Sequence, residues 1–136
     1  MSPDGVHREL PRDDCRIRLL GGRRGRIGLS LRSLPTILPV TYALEADGVV
    51  VTTMAVATIL DAVYGNVVTF QVDDVDTHRD EQWSVSVTGI ARRTGPGGDG
   101  PGPIGGPDGR SAVSRLSAFI PTDLMHGVIL GRADPA

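Results

Sequence analysis

Lysine is absent from this chain: all fourteen basic residues among its 136 are arginine. That excludes a P-loop lysine, a Schiff-base lysine and a lysine general base together. Cysteine occurs once, at Cys15, so neither an internal disulfide nor a cysteine zinc quartet can form. One tryptophan, two tyrosines and two phenylalanines are too few for the stacked-base platform of a single-strand nucleic-acid binder. No apolar run approaches the ~20 residues needed to cross a bilayer. The amino-terminal MSPDGVHRELPRDD is charged and lacks the apolar stretch of a signal peptide. A net charge of −2 supplies no general attraction to nucleic acid or anionic membrane. These absences set the expectation of a soluble, cytoplasmic protein that binds neither.

What is present reads as one domain, residues 1–136, with its core in 10–93 and 112–131. Leu10-Pro11-Arg12-Asp13-Asp14 has the proline and carboxylates of a helix start, and Gly21-Gly22 marks its stop. Ile27, Leu29 and Leu31 alternate with Arg26, Gly28 and Ser30, the pattern of a half-buried strand. Ser33–Tyr42 continues as extended chain, where Pro35 and Pro39 cannot donate to a ladder and so predict a sheet edge or bulge. Ala46-Asp47-Gly48 is a turn signal before the β-branched Val49–Thr53.

The period then changes. Val56, Ile59, Leu60 and Val63 share one helical face, which Gly65-Asn66 ends. Val68, Phe70 and Val72 alternate again, as do Trp83, Val85 and Val87, with Gly89 a candidate bulge. Residues 94–110 hold the glycine- and proline-rich run TGPGGDGPGPIGGPDG, whose composition predicts a flexible loop. Leu116–Ile120 and Val128–Leu130 complete the strands. Strands outnumber helices, and a small antiparallel barrel with peripheral helices accommodates them.

The densest chemistry lies in QVDDVDTHRDEQWSVSVTG, residues Gln71–Gly89. Asp74-x-Asp76-x-His78 starts like a calcium loop, but Arg79 replaces the turn glycine and Val85 the closing glutamate. No metal site is expected there. The remaining readings are an acid/base carboxylate pair or a solvated connection between two strands of a hairpin. His7, His78 and His126 have no ligand spacing, and Ser84 and Ser86 lack a nucleophile elbow. No catalytic residue is assigned. Thr52-Thr53 precedes a helix and suits either an anion at the helix start or a simple cap at Thr53.

Four segments in order resemble one known family: LPRDDCRIRLLGGRRGRIGL, TILPVTYALEADGVVVTT, VTFQVDDVDTHRDEQWSVSVTGIARR and FIPTDLMHGVIL. They are similar to the pyridoxamine 5′-phosphate oxidase-like flavin-binding proteins, in particular the small actinobacterial branch. The resemblance implies a mainly β fold, a six-stranded antiparallel split β-barrel (Greek key) with short helices. It also implies a homodimer that holds FMN, or a deazaflavin, between subunits and has oxidoreductase-type activity. By the same resemblance Pro39, Val40, Thr41 and Tyr42 would border the flavin ring, Thr52 and Thr53 its phosphate, and Trp83 the dimer groove. Relatives typically carry arginine-threonine where this chain has Thr52-Thr53, and a lysine near Thr58. With both cations missing, an arginine such as Arg26 would have to substitute. The alternative is a cofactor-free split-barrel dimer that serves as a binding or structural protein.

Overall fold

The computed structural model describes residues 5–95 and 112–132. Beyond residue 95, the expected glycine- and proline-rich loop lies outside the described residues. The chain runs β1 (Gly5–Leu10), α1 (Arg12–Leu20), β2 (Arg24–Leu31), β3 (Leu34–Leu44), β4 (Gly48–Ala55), α2 (Ala57–Val63) and β5 (Val67–Asp76). It continues with β6 (Glu81–Ile90), β7 (Arg92–Arg93), β8 (Ser114–Pro121) and β9 (Leu124–Arg132). All nine strands join one antiparallel sheet in the order β1-β9-β6-β5-β2-β3-β4-β8-β7. The sheet curls into a half-barrel, so that β6 and β8, which share no ladder, come close to each other.

Mainly β architecture with two short helices is therefore observed, but with nine strands among the described residues rather than six. The largest correction is at the amino terminus. Leu10 ends a strand instead of starting a helix, and α1 begins at Arg12. Local sequence cannot announce β1, because its partner β9 is more than a hundred residues away (Gly5↔Arg132 to Leu10↔Gly127). As an outer strand it exposes His7, Arg8 and Glu9, charge that discourages edge-to-edge pairing.

Alternation holds where it was clearest. Ile27 and Leu29 in β2, Val68, Phe70 and Val72 in β5, and Val85 and Val87 in β6 are buried. Each fully buried aliphatic or aromatic side chain contributes ~1.5–3 kcal/mol through removal from water. The core continues through Val49 and Val51 of β4 and Leu116 and Ile120 of β8. Helix α1 closes one end of it with Cys15 and Leu19, both 1% exposed.

The prolines are explained by where pairing stops. β3 pairs with β2 from Leu34 to Thr41, but its ladder to β4 begins only at Thr41. Pro35 and Pro39 thus occupy the stretch of β3 with a single neighbour, as missing donors require. The β2–β3 hairpin closes through Arg32 and Ser33, both left-handed at φ 52° and 68°. Two positive φ values make this a type I′ geometry without the glycine that usually relieves it. Gly89 forms no bulge: the β5–β6 ladder passes through Val68↔Gly89 without interruption.

Helix α2 buries Val63 and half-buries Ile59 and Leu60, while Val56 lies outside it as the N-cap residue. Thr53 does not cap it; Thr52 and Thr53 belong to β4, and no side chain caps the helix start. Its other end is closed by Asn66, whose Nδ2 donates to the Ala62 and Asp61 carbonyls. No helix among the described residues is long and apolar enough to cross a membrane.

Candidate functional site

Register across four strands builds the site. Arg24 on β2 pairs with Thr41 on β3, Thr41 with Thr52 on β4, and Thr52 with Ser117 on β8. Alternation puts this row on the outer face, because its neighbours Val40, Val51, Leu116 and Ala118 are buried inside. Gly25 lets β2 lie close here: a Cβ on it would come within 2.7 Å of the Phe70 ring and 2.8 Å of the Gln71 carbonyl oxygen. Two residues beyond Ser117 on the same face, Arg115 pairs with Met54.

These residues line a groove of ≈ 610 Å³ bordered by Arg24, Pro39, Val40, Thr41, Thr52, Thr53, Met54 and Arg115. Five of the eight residues proposed from the sequence therefore come together. Its lining includes two guanidinium groups and no carboxylate. Neither Arg24 nor Arg115 forms an ion pair among the described residues. Three strand spacings of ~4.8 Å put the backbones of β2 and β8 about 14 Å apart, with Arg24 on one strand and Arg115 on the other. Between them the Thr41 hydroxyl donates to the Thr52 carbonyl at 3.3 Å. Thr52 and Thr53 are half-buried and their hydroxyls have no partner among the described residues; Thr52 lies on the outer face, while Thr53, in register with the buried Leu116, lies on the opposite one. Donors of this kind, two of them cationic, suit a phosphate.

The other three proposed residues stand elsewhere. The Tyr42 hydroxyl donates to the Leu19 carbonyl at 2.5 Å, and its ring meets Phe70 edge-on at 4.9 Å. Burial pushes its phenol pKa up. Tyr42 ties α1 to the barrel and does not line the groove. Thr58 is exposed in the first turn of α2, outside the groove lining. Arg26, named as a substitute cation, donates to Asp73 Oδ1 at 2.8 Å and is held by that carboxylate.

Trp83 lines a second groove, of ≈ 800 Å³, with Arg18, Arg23, Arg24 and the carboxylates Asp14, Asp73 and Asp74. The Arg18 guanidinium lies 5.3 Å from the centre of the Trp83 ring, a cation–π contact. Arg24 borders both grooves.

The acidic stretch resolves into hairpin geometry. Asp76 Oδ1 accepts from the His78 and Arg79 amides at 3.0 and 3.3 Å, and Asp80 is left-handed at φ 51°. Asp74 Oδ1 accepts from the Val75 amide, and Glu81 meets Arg8 at 3.4 Å. Among the described residues no group of three or more histidine, cysteine or carboxylate side chains is arranged to hold a metal ion. Cys15 is buried, and burial, with Asp14 nearby, pushes its thiol pKa up, the reverse of an activated nucleophile.

Residues 11–98 match the family described as pyridoxamine 5′-phosphate oxidase. The chain belongs to the pyridoxamine 5′-phosphate oxidase family. An uncharacterised protein of Mycobacterium tuberculosis is 37% identical over 91 residues. That match spans 61% of this chain and 58% of the relative, less than two-thirds of the relative's length. Among solved structures, an FAD-binding protein from Mycobacterium smegmatis superposes with a TM-score of 0.63 at 23% identity, covering 91% of this chain and 98% of that one. An FAD-binding protein from Mesorhizobium loti gives 0.65 at 18% identity, covering 93% and 98%. At these identities the likeness is one of fold, which this member of the pyridoxamine 5′-phosphate oxidase family shares with flavin-binding proteins.

Sequence reasoning missed Arg24 and Arg115. Arg24 sits in the conspicuous run Arg23-Arg24-Gly25-Arg26, but nothing local says that it faces Thr41 and Thr52. Arg115 has no local signal at all. Both emerge only from the pairing of β2, β3, β4 and β8.

Proposed function

We propose that this chain binds a flavin phosphate in the groove between Arg24 and Arg115 and serves as a flavin-dependent oxidoreductase. One observation carries the reading: two guanidiniums without carboxylate partners among the described residues share the outer face of the Thr52 hydroxyl. They replace the arginine and lysine that the resemblance leads one to expect at Thr52 and near Thr58. Family membership and the flavin-binding structural relatives support the same ligand class. A bound flavin would supply hydride or electron transfer at its ring. The chain's own part is to grip the phosphate with Arg24, Arg115 and Thr52 and to offer the ring the apolar edge formed by Pro39 and Met54.

A homodimer belongs to this reading. The exposed Ile37 and Met54, 70% and 45% accessible, lie on the same outer face as the groove, so a second copy would cover them while closing the site. FMN, FAD and a deazaflavin all carry the required phosphate. The test is the visible spectrum of concentrated protein, followed by equilibrium dialysis against each of the three. Saturable binding with one site per chain is expected. Silence toward all three, in a folded protein, overturns the proposal in favour of a cofactor-free barrel.

A further inference from the structure

The Tyr42 amide donates to the Arg23 carbonyl at 2.9 Å, and the Glu45 amide to the Gly48 carbonyl at 2.8 Å. Backbone groups of successive strand residues point to opposite sides, so the even-numbered residues of β3 address β2 and the odd-numbered ones the β4 side. Thr41 and Ala43 pair on that side with Thr52 and Val50. The ladder goes no further, so among the described residues Pro35, Ile37 and Pro39 turn this edge toward no strand. Two of these three are prolines and carry no N–H. Ile37 is thus the one residue on the free edge that offers a backbone donor beside an acceptor. An added β-strand does not suit the edge, because pairing needs a donor at every second residue. A small planar group with one N–H beside one carbonyl does.

We infer that the free edge of Ile37 takes the imide of the flavin ring, its amide donating to a ring carbonyl oxygen and its carbonyl accepting from the ring N–H. This rests on the flavin reading above and deepens it. Ile37 lies four residues from Thr41, about 13 Å along a strand, and Pro39 of the groove lies between them. With the phosphate at Thr52 and the ring beside Pro39, the far end of the ring reaches Ile37. FMN, FAD and a deazaflavin all carry this imide, so the edge reads the ring itself and not its tail. Backbone groups placed in this way fix a ligand's orientation. The flanking prolines keep a strand from competing for the same edge.

The test compares FMN with FMN methylated at the imide nitrogen, by equilibrium dialysis on the full chain. Methylation removes the ring N–H and leaves the phosphate, so affinity should fall roughly tenfold. Ile37→Pro removes the donor from the protein side. Pro35 and Pro39 already occupy equivalent positions in the β2 ladder, so the strand should accept it. Ile37→Pro should bind FMN roughly three- to tenfold more weakly than Ile37→Ala, which trims the side chain but keeps the amide. Equal affinity of the wild type for the two ligands overturns the edge pairing and leaves the flavin reading standing. So does equal FMN affinity in the proline and alanine variants. If the proline variant does not fold, the methylated ligand alone decides. Binding of neither ligand overturns both inferences.

Discussion

Replacing Arg24 or Arg115 with glutamine removes a charge while keeping most of the side-chain volume. Neither guanidinium is held by a carboxylate among the described residues, so no ion pair inside the protein is broken when it turns to a ligand. The fold should tolerate the change, since both residues are exposed on the outer face. A hydrogen bond to a charged group contributes about 1.5–3 kcal/mol. Exposure favours the low end of that range, because solvent screens the pair. About 1.5 kcal/mol corresponds to roughly a tenfold rise in Kd for each single variant. The arginines approach from β2 and β8, on opposite sides of the threonines, so their losses should add to about a hundredfold in the double variant. Flavin fluorescence titration at low salt reads these changes directly. Raising the ionic strength should shrink the wild-type advantage over both variants. FMN affinity unchanged in either single variant at low salt would refute the assignment of that arginine.

Three further outcomes follow from the geometry. The raised pKa values of Cys15 and Tyr42 mean that the folded state holds those protons more tightly than the unfolded chain does. Their stabilisation is complete below the unfolded values of 9.0 and 10.0 and is lost as pH rises through the folded ones, so Tm should fall on the alkaline side. Cys15→Ala should flatten the early part of that fall, and an identical alkaline profile would contradict the argument. Tyr42→Phe keeps the contact with Phe70 but loses the bond to the Leu19 carbonyl, at a cost of about 0.5–1.5 kcal/mol in urea unfolding. Flavin affinity should not change, and a loss of affinity without a loss of stability would return Tyr42 to the ligand site. Arg32→Asn with Ser33→Gly relieves two left-handed residues and should stabilise the chain by about 1 kcal/mol or more, read as a raised Tm.

Local patterns carried far into this fold and then stopped for a physical reason. β2, β5 and β6 were legible because one face of each is buried, so Ile27, Phe70 and Val85 had to alternate with polar neighbours. The prolines of β3 correctly announced a stretch with one neighbour. β1 was hidden because its strand character comes from β9, through pairs such as His7↔Leu130, and not from its own composition. The threonine half of the site could be read from the segments around Thr41 and Thr52. Its cationic half could not. Arg26 was the nearer guess by position, yet the β2–β5 pairing sets it beside Asp73 (Arg26↔Gln71, with Asp73 two residues on), while Arg24, two residues earlier, faces the groove. A strand period of two residues puts both on one face, and only the partner strands decide what each one meets.

The central claim is that the outer face of β2, β3, β4 and β8 recognises a flavin through its phosphate. Riboflavin and FMN share the ring and differ in that phosphate, so the ratio of their Kd values for the wild-type protein isolates it. With two arginines engaged, FMN should bind at least tenfold more tightly than riboflavin at low salt. Equal affinities would contradict the account, because the groove between Arg24 and Arg115 would then have no part in holding the ligand.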